Sequence, residues 1–251
     1  MNRIGLAAIG LIFVSQGAAA ASTWLTIDIT ATPQNTPAVV AAIVAATDKL
    51  MSSPAGMEFP GKLLLQASLA NGADPATHTF VPIYKSTADR EAFAQKLQAD
   101  PAWPLFQASM AKLSQPVSTV LNGTLKSWGD VNDTDGVWQG AAFAVKDPAA
   151  FFAALDKLMA SETGKKFPGQ VYLSQVIAGG ITKVTHLISV GFASEVEMAA
   201  WNDSLVGNAD WTAYLDASRA SSEYLGSNLS RTLKSWGKAT MKDVTAGSSS
   251  K

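Results

Sequence analysis

The sequence predicts an α+β chain made of two tandem copies of one β-α-β-β-α-β unit, and two observations predict it. First, Thr124-Leu-Lys-Ser-Trp-Gly129 recurs as Thr232-Leu-Lys-Ser-Trp-Gly237, an offset of 108 residues. The same offset brings Asp48-Lys-Leu-Met51 onto Asp156-Lys-Leu-Met159, Phe59-Pro-Gly61 onto Phe167-Pro-Gly169, Thr77-His78 onto Thr185-His186, and Trp103 onto Trp211. No gap is needed from Asp48 to Gly129, and about 25 positions are identical, far more than chance provides. Second, each copy switches between two-residue alternation and helical spacing in the same order.

Residues 24–30 and 138–145 read as first strands, with Leu25, Ile27 and Ile29 alternating against Trp24, Thr26 and Asp28. Trp24 pairs with Trp138 at an offset of 114, so the first copy has six extra residues near 32–36. First helices open at Thr36-Pro37 and Asp147-Pro148, each a cap followed by a proline suited to the first helical position. They are expected to stop near Gly56 and Gly164, in left-handed caps. Second strands cover 62–70 and 170–178 and end at Asn71-Gly72 and Gly179-Gly180, dipeptides that tolerate the positive φ of a hairpin turn. Third strands cover 77–84 and 185–192. Second helices open with Ser86-x-x-Asp89 and Ser194-x-x-Glu197, where hydroxyl and carboxylate can cap free N–H groups. A further turn or two of helix follows Asp100-Pro101 and Asn208, and fourth strands cover 117–127 and 226–235.

The domain plan is therefore a first repeat at 22–129, a linker at 130–136, a second repeat at 137–237 and a flexible tail at 238–251. Residues 1–21 read as a signal peptide. Arg3 precedes a short apolar run from Ile4 to Val14, and Ala18-x-Ala20 or Ala19-x-Ala21 fits the cleavage rule. The run is shorter than the roughly 20 residues a membrane span needs. The expected location is the periplasm or the medium.

The chain has no cysteine, which removes disulfides, thiolate catalysis and Cys-ligated metals. Lys and Arg total 19 against 20 Asp and Glu, with no basic run, so nucleic acid and anionic membranes are not expected partners. No Walker loop, nucleophile elbow or H-E-x-x-H pair is present. The linker's acidic residues miss the spacing of a calcium loop.

The β-α-β-β-α-β order is the ferredoxin-like one. One such unit leaves a bare sheet face, and two can hide their faces against each other around a pseudo-twofold axis. In this duplication and element order the chain resembles the dimeric α+β-barrel superfamily in a fused, single-chain form. That superfamily includes antibiotic-biosynthesis-type and haem-degrading monooxygenases, stress-responsive barrel proteins and chlorite dismutases. The resemblance implies a closed barrel; the competing arrangement sets two ferredoxin-like domains side by side.

Candidate ligand-binding residues follow from the repeat. His78 and His186 are the only histidines and occupy equivalent third-strand positions. If they face inward, they meet across the axis as ligand contacts, metal or haem ligands or proton carriers; the alternative is that each hydrogen-bonds a loop backbone at a strand edge. Lys126 and Trp128, with Lys234 and Trp236, alternate against Leu121, Leu125, Leu229 and Leu233. The leucines suit the helix-covered face, which would place the Lys–Trp pairs in the interior or at its rim, fit for an anionic, partly apolar ligand. Trp24, Trp138 and Asp28 share the other face of the first strands. Trp103 and Trp211 read as core anchors.

The sequence thus predicts an exported protein that binds a small, partly apolar molecule in a barrel cavity. No catalytic residue, metal site or bound cofactor is predicted, and the chain should be a monomer or weak oligomer. The resemblance allows two alternatives, a cofactor-independent monooxygenase or a haem-dependent enzyme. A protein-interaction module, which needs no pocket, is the third.

Overall fold

The computed structural model describes residues 22–32, 34–180 and 183–246. The signal-peptide reading of residues 1–21 and the last five residues of the expected tail lie outside the described residues.

The first repeat runs β1 (Thr23–Ala31), α1 (Pro37–Met51), α2 (Pro54–Met57), β2 (Lys62–Ala70), β3 (His78–Tyr84), α3 (Thr87–Ala99), α4 (Ala102–Leu113) and β4 (Ser114–Gly129). The second runs β5 (Val137–Val145), α5 (Pro148–Ala160), a 3-10 turn, β6 (Gln170–Gly179), β7 (His186–Phe192), α6 (Glu195–Ser204), α7 (Ala209–Ser221) and β8 (Ser222–Trp236). A short α8 (Met241–Thr245) follows.

The caps form where the sequence places them. Thr36 accepts a hydrogen bond from the Val39 amide, Asp147 from Ala150, Ser86 from Asp89 and Ser194 from Glu197. Gly72, Gly179 and Gly180 have positive φ at the two hairpin turns. Gly56 and Gly164 act differently from expectation, and neither has positive φ. Each packs on the end of the preceding helix, where a Cβ would come within 2.1 Å of the Leu50 carbonyl oxygen or 2.2 Å of that of Leu158. The short stretches expected after Asp100 and Asn208 are full helices. Asp100 caps α4 through the Ala102 amide and also accepts from Ala55 of α2, while Asn208 accepts from the Trp211 amide.

All eight strands close into one antiparallel barrel in the order β1-β3-β2-β8-β5-β7-β6-β4, with β4 returning to β1. Each repeat supplies four neighbouring strands, and the seams between repeats are β2–β8 and β4–β6. Closure leaves the sheet without an edge, and excludes the side-by-side arrangement.

Two apolar layers result. Outside the barrel, Ile29, Leu65 and Phe80 pack with Ile43 of α1, and Met110 and Leu113 of α4 close over them. The second repeat packs Phe143, Val171, Leu173 and Ile188 beneath Phe151, Leu155 and Leu158 of α5 and Tyr214 of α7. Inside, Leu64, Val81, Ile83 and Tyr172 form a separate cluster, with Trp24 and Trp138 against it. Each fully buried side chain of this size contributes about 1.5–3 kcal/mol.

Residues 238–246 are not a tail. Met241 and Val244 of α8 are 4% and 1% exposed and belong to the inner cluster, so α8 stops one end of the barrel. Thr240 and Asp243 form a capping box at its start. The linker holds it in place, since Asp133 accepts from the Met241 amide at 3.1 Å and from Lys62 Nζ at 2.6 Å.

Candidate binding site

Strand register decides where each candidate side chain points. On β1, Trp24, Thr26 and Asp28 face the interior, because Leu25, Ile27 and Ile29 pack beneath the helices. Trp138 also lies inward, its ring stacked 6.3 Å from Tyr172. Trp24 Nε1 donates to Ser174 across the seam at 3.3 Å. Asp28 is held by two hydroxyls, Thr79 Oγ1 at 2.7 Å and Ser118 Oγ at 2.6 Å. The inner wall also carries Asn122 Oδ1, Ser127 Oγ, Thr232 Oγ1 and Trp138 Nε1, buried polar atoms with no protein partner. Polar sites of this kind commonly hold ordered water.

His78 and His186 face outward, under the helices. His78 is 2% exposed on the face of β3 that carries Phe80, and Thr77 Oγ1 lies 3.0 Å from its Nδ1. His186 sits against Phe151 and Phe152 of α5, with Thr185 Oγ1 at 2.9 Å. The barrel wall therefore separates them instead of bringing them together. Burial lowers both imidazole pKa values below the ordinary 6.5 and favours the neutral ring.

Lys126 and Trp128 also face outward, and a β-bulge is the reason. In the β4–β6 ladder Thr124 opposes Ser174 but Lys126 opposes Leu173, leaving Leu125 as the extra residue. One inserted residue reverses the alternation beyond it. Ser127 thus turns inward, while Leu125 is 36% exposed rather than covered by helices. β8 repeats the bulge at Leu233, between Thr232 opposite Gln66 and Lys234 opposite Leu65.

The outward Lys–Trp pairs make a reciprocal clasp. Lys234 Nζ donates to both Asp48 oxygens on α1 at 2.6 and 2.8 Å, and Trp236 Nε1 donates to the same carboxylate at 2.7 Å. Lys126 and Trp128 grip Asp156 on α5 at 2.5 and 3.1 Å. Each repeat's last strand thereby fastens the other repeat's first helix. Both sides of this contact are duplicated in the sequence, which was the readable signal that they belong together.

A cavity lies between the outer sheet face of the second repeat and its helices. It measures about 440 Å³, within the usual range for small-molecule pockets. Ala141, Phe143, Ile188 and Val190 form its floor, Leu155 and Met159 of α5 and Trp211 and Tyr214 of α7 its roof, and Trp201 and Leu205 of α6 one side. Its polar lining includes Gln139, Asn202, Arg219, Tyr224 and Ser227. Burial pushes the Tyr214 hydroxyl up to about 12, so it stays protonated and can only donate or accept hydrogen bonds. In the first repeat the positions of Ala141, Ile188 and Ser218 carry Ile27, Phe80 and Met110, which pack into the core there. Trp201, Trp211, Ala141 and Arg219 were not legible as site residues, because only the contrast between repeats marks them.

No family model matches the sequence, and no curated protein matches it significantly. Solved structures do. A candidate monooxygenase from Lactobacillus acidophilus NCFM superposes with a TM-score of 0.59 at 12% identity, over 88% of this chain and 98% of that one. An anthrone oxidase-like protein gives 0.54 at 13% identity, over 86% and 92%. A candidate chlorite dismutase gives 0.50 at 6% identity, over 91% and 100%. The chain shares with these proteins the fold of an α+β barrel. At such identities the likeness carries architecture alone.

Among the described residues of this fused α+β barrel, no helix is long and apolar enough to cross a membrane. No group of three or more His, Cys, Asp or Glu among them could hold a metal ion. No histidine lines the second-repeat cavity, and His186 lies against Phe151 and Phe152.

Proposed function

We propose that this chain is an exported binding protein that takes up a small, largely aromatic molecule in the cavity of its second repeat. The carrying observation is the substitution of Ala141 for Ile27, Ile188 for Phe80 and Ser218 for Met110 at matching positions. Those changes remove side-chain volume at three positions around the cavity. Cores without a use for space are filled, since a void forfeits packing contacts. The aromatic residues around the space favour a planar ligand, and the polar groups favour one bearing a hydrogen-bonding substituent.

The test is Ala141→Phe, with titration calorimetry of 2-naphthol as the probe. The substitution should weaken binding at least tenfold and leave the melting temperature unchanged or raised. Undiminished affinity would refute this site. If instead Trp138→Phe or Asp28→Asn abolished binding, the ligand would belong in the barrel interior. Export is tested by the amino terminus of protein recovered from cells. It should begin near Ala21 or Ser22 in a periplasmic or secreted fraction; an uncleaved cytosolic product would overturn it. Because fusion already supplies the pairing that a single-copy barrel needs, the protein should be a monomer or weak oligomer.

The names of the similar structures support a second reading, oxidation of the bound molecule by dioxygen without a cofactor. In that reading the protein acts by holding a reactive substrate in a dry pocket. Oxygen uptake with anthrone above the protein-free rate would establish it, and an unchanged rate would leave binding alone.

A further inference from the structure

We infer that the second-repeat cavity selects aromatic molecules carrying an anionic group, and that Arg219 at its edge receives that group. This rests on the proposed use of the cavity and adds the sign of the ligand's charge. Among the described residues, Arg219 is the one charged side chain lining the space. It stands on α7 with its side chain 73% exposed, so an anion placed there remains close to solvent while its ring enters the apolar part. An isolated anion deep among Phe143, Leu155 and Ile188 would instead lose its hydration without compensation.

The guanidinium is available for this role. Its ion pair to Asp216 on the same helix is long at 3.4 Å, and both side chains are about 70% exposed. Such a pair holds little energy, so the side chain can turn toward a ligand at small cost. The neighbouring carboxylate of Glu223 belongs to the other face of the sheet, opposite Ala144, whereas Tyr224 opposes Phe143 on the cavity side. A planar fork of donors suits a carboxylate in particular.

The charge is also specific to the repeat that holds the space. The first repeat has Ala111 where the second has Arg219, and Leu25 where the second has Gln139. The hollow and the polar, cationic edge therefore occur together in one copy.

The experiment compares 2-naphthoate with its neutral near-isostere 2-naphthamide by titration calorimetry on the full-length chain. Wild type should bind the carboxylate about tenfold more tightly, a preference that shrinks as salt is raised. Arg219→Gln should erase the preference by weakening naphthoate about tenfold while leaving naphthamide within about twofold. Arg219→Lys should recover part of it. Equal affinities in wild type, or a naphthoate affinity untouched by Arg219→Gln, would overturn the anion assignment while the cavity reading stands. Failure of both probes to bind, or binding of both unaffected by Ala141→Phe, would overturn the cavity reading and this inference with it.

Discussion

The two repeats share their caps, their bulges, their histidines and their clasps, yet the layers between sheet and helices differ. Beneath α1 and α4, Ile27, Phe80 and Met110 belong to a continuous core. Beneath α5 and α7, Ala141, Ile188 and Ser218 line about 440 Å³ of space. Duplication preserved the contacts that hold the barrel shut and relaxed those that only fill a layer. Matching positions that differ in volume are therefore better guides to a site here than matching positions that agree.

Exchanging residues between the repeats breaks this contrast most strongly. Ile27→Ala should open a void in the first repeat and cost about 2 kcal/mol, at the low end for such a truncation because Ile27 is only half-buried. Ala141→Ile should cost nothing or stabilise slightly. Equal losses from both changes in chemical denaturation would mean that the two layers are equally packed.

The clasps supply the next effect. Asp48 receives two bonds from Lys234 and a short one from Trp236, whereas Asp156 receives a single bond from Lys126 and a longer one from Trp128. Asp48→Asn should cost about 1 kcal/mol after allowance for solvent exposure, and Asp156→Asn less. The Lys234 hydrogen bond, followed by that of Trp236, holds the Asp48 carboxyl below its ordinary 3.8. Its contribution is then present above pH 3.8 and lost as pH falls through the lowered value. A larger loss from Asp156→Asn would reverse the ranking of the two seams.

The smallest effect concerns the histidines. Because desolvation lowers their pKa values, the unfolded chain binds more protons than the folded one just below pH 6.5. Stability should therefore rise with pH across that window and fall on acidification. His78→Gln should flatten the dependence of melting temperature on pH there by about 1–2 °C, and more than His186→Gln does, since His78 is the more deeply covered. An unchanged slope would show that other groups carry the acid sensitivity.

Much of the architecture was legible because local chemistry and the repeat agreed. Thr36, Asp147, Ser86 and Ser194 cap the helices they precede, and Gly72 and Gly179 turn the hairpins. The face of β3 was not legible, since Phe80 and Pro82 are as apolar as their neighbours Val81 and Ile83. Lys126 and Trp128 were misplaced because strict alternation was carried through Leu125, and nothing local in one strand announces a bulge. α8 escaped notice because Met241 and Val244 are two apolar residues in a polar stretch, and their burial depends on the barrel mouth beside them. Trp24, Trp138 and Asp28 do face inward, as the alternation of β1 implied.

One consequence of the barrel's wiring concerns the order in which it can be made. β8 joins β2 on one side and β5 on the other, so every shorter chain ending before Ser222 keeps two raw sheet margins. Those margins, and the uncovered end that α8 later fills, are surfaces on which nascent or prematurely terminated chains adhere to one another. Assembly must accordingly be a late event, completed only when β8 and α8 have emerged from the ribosome.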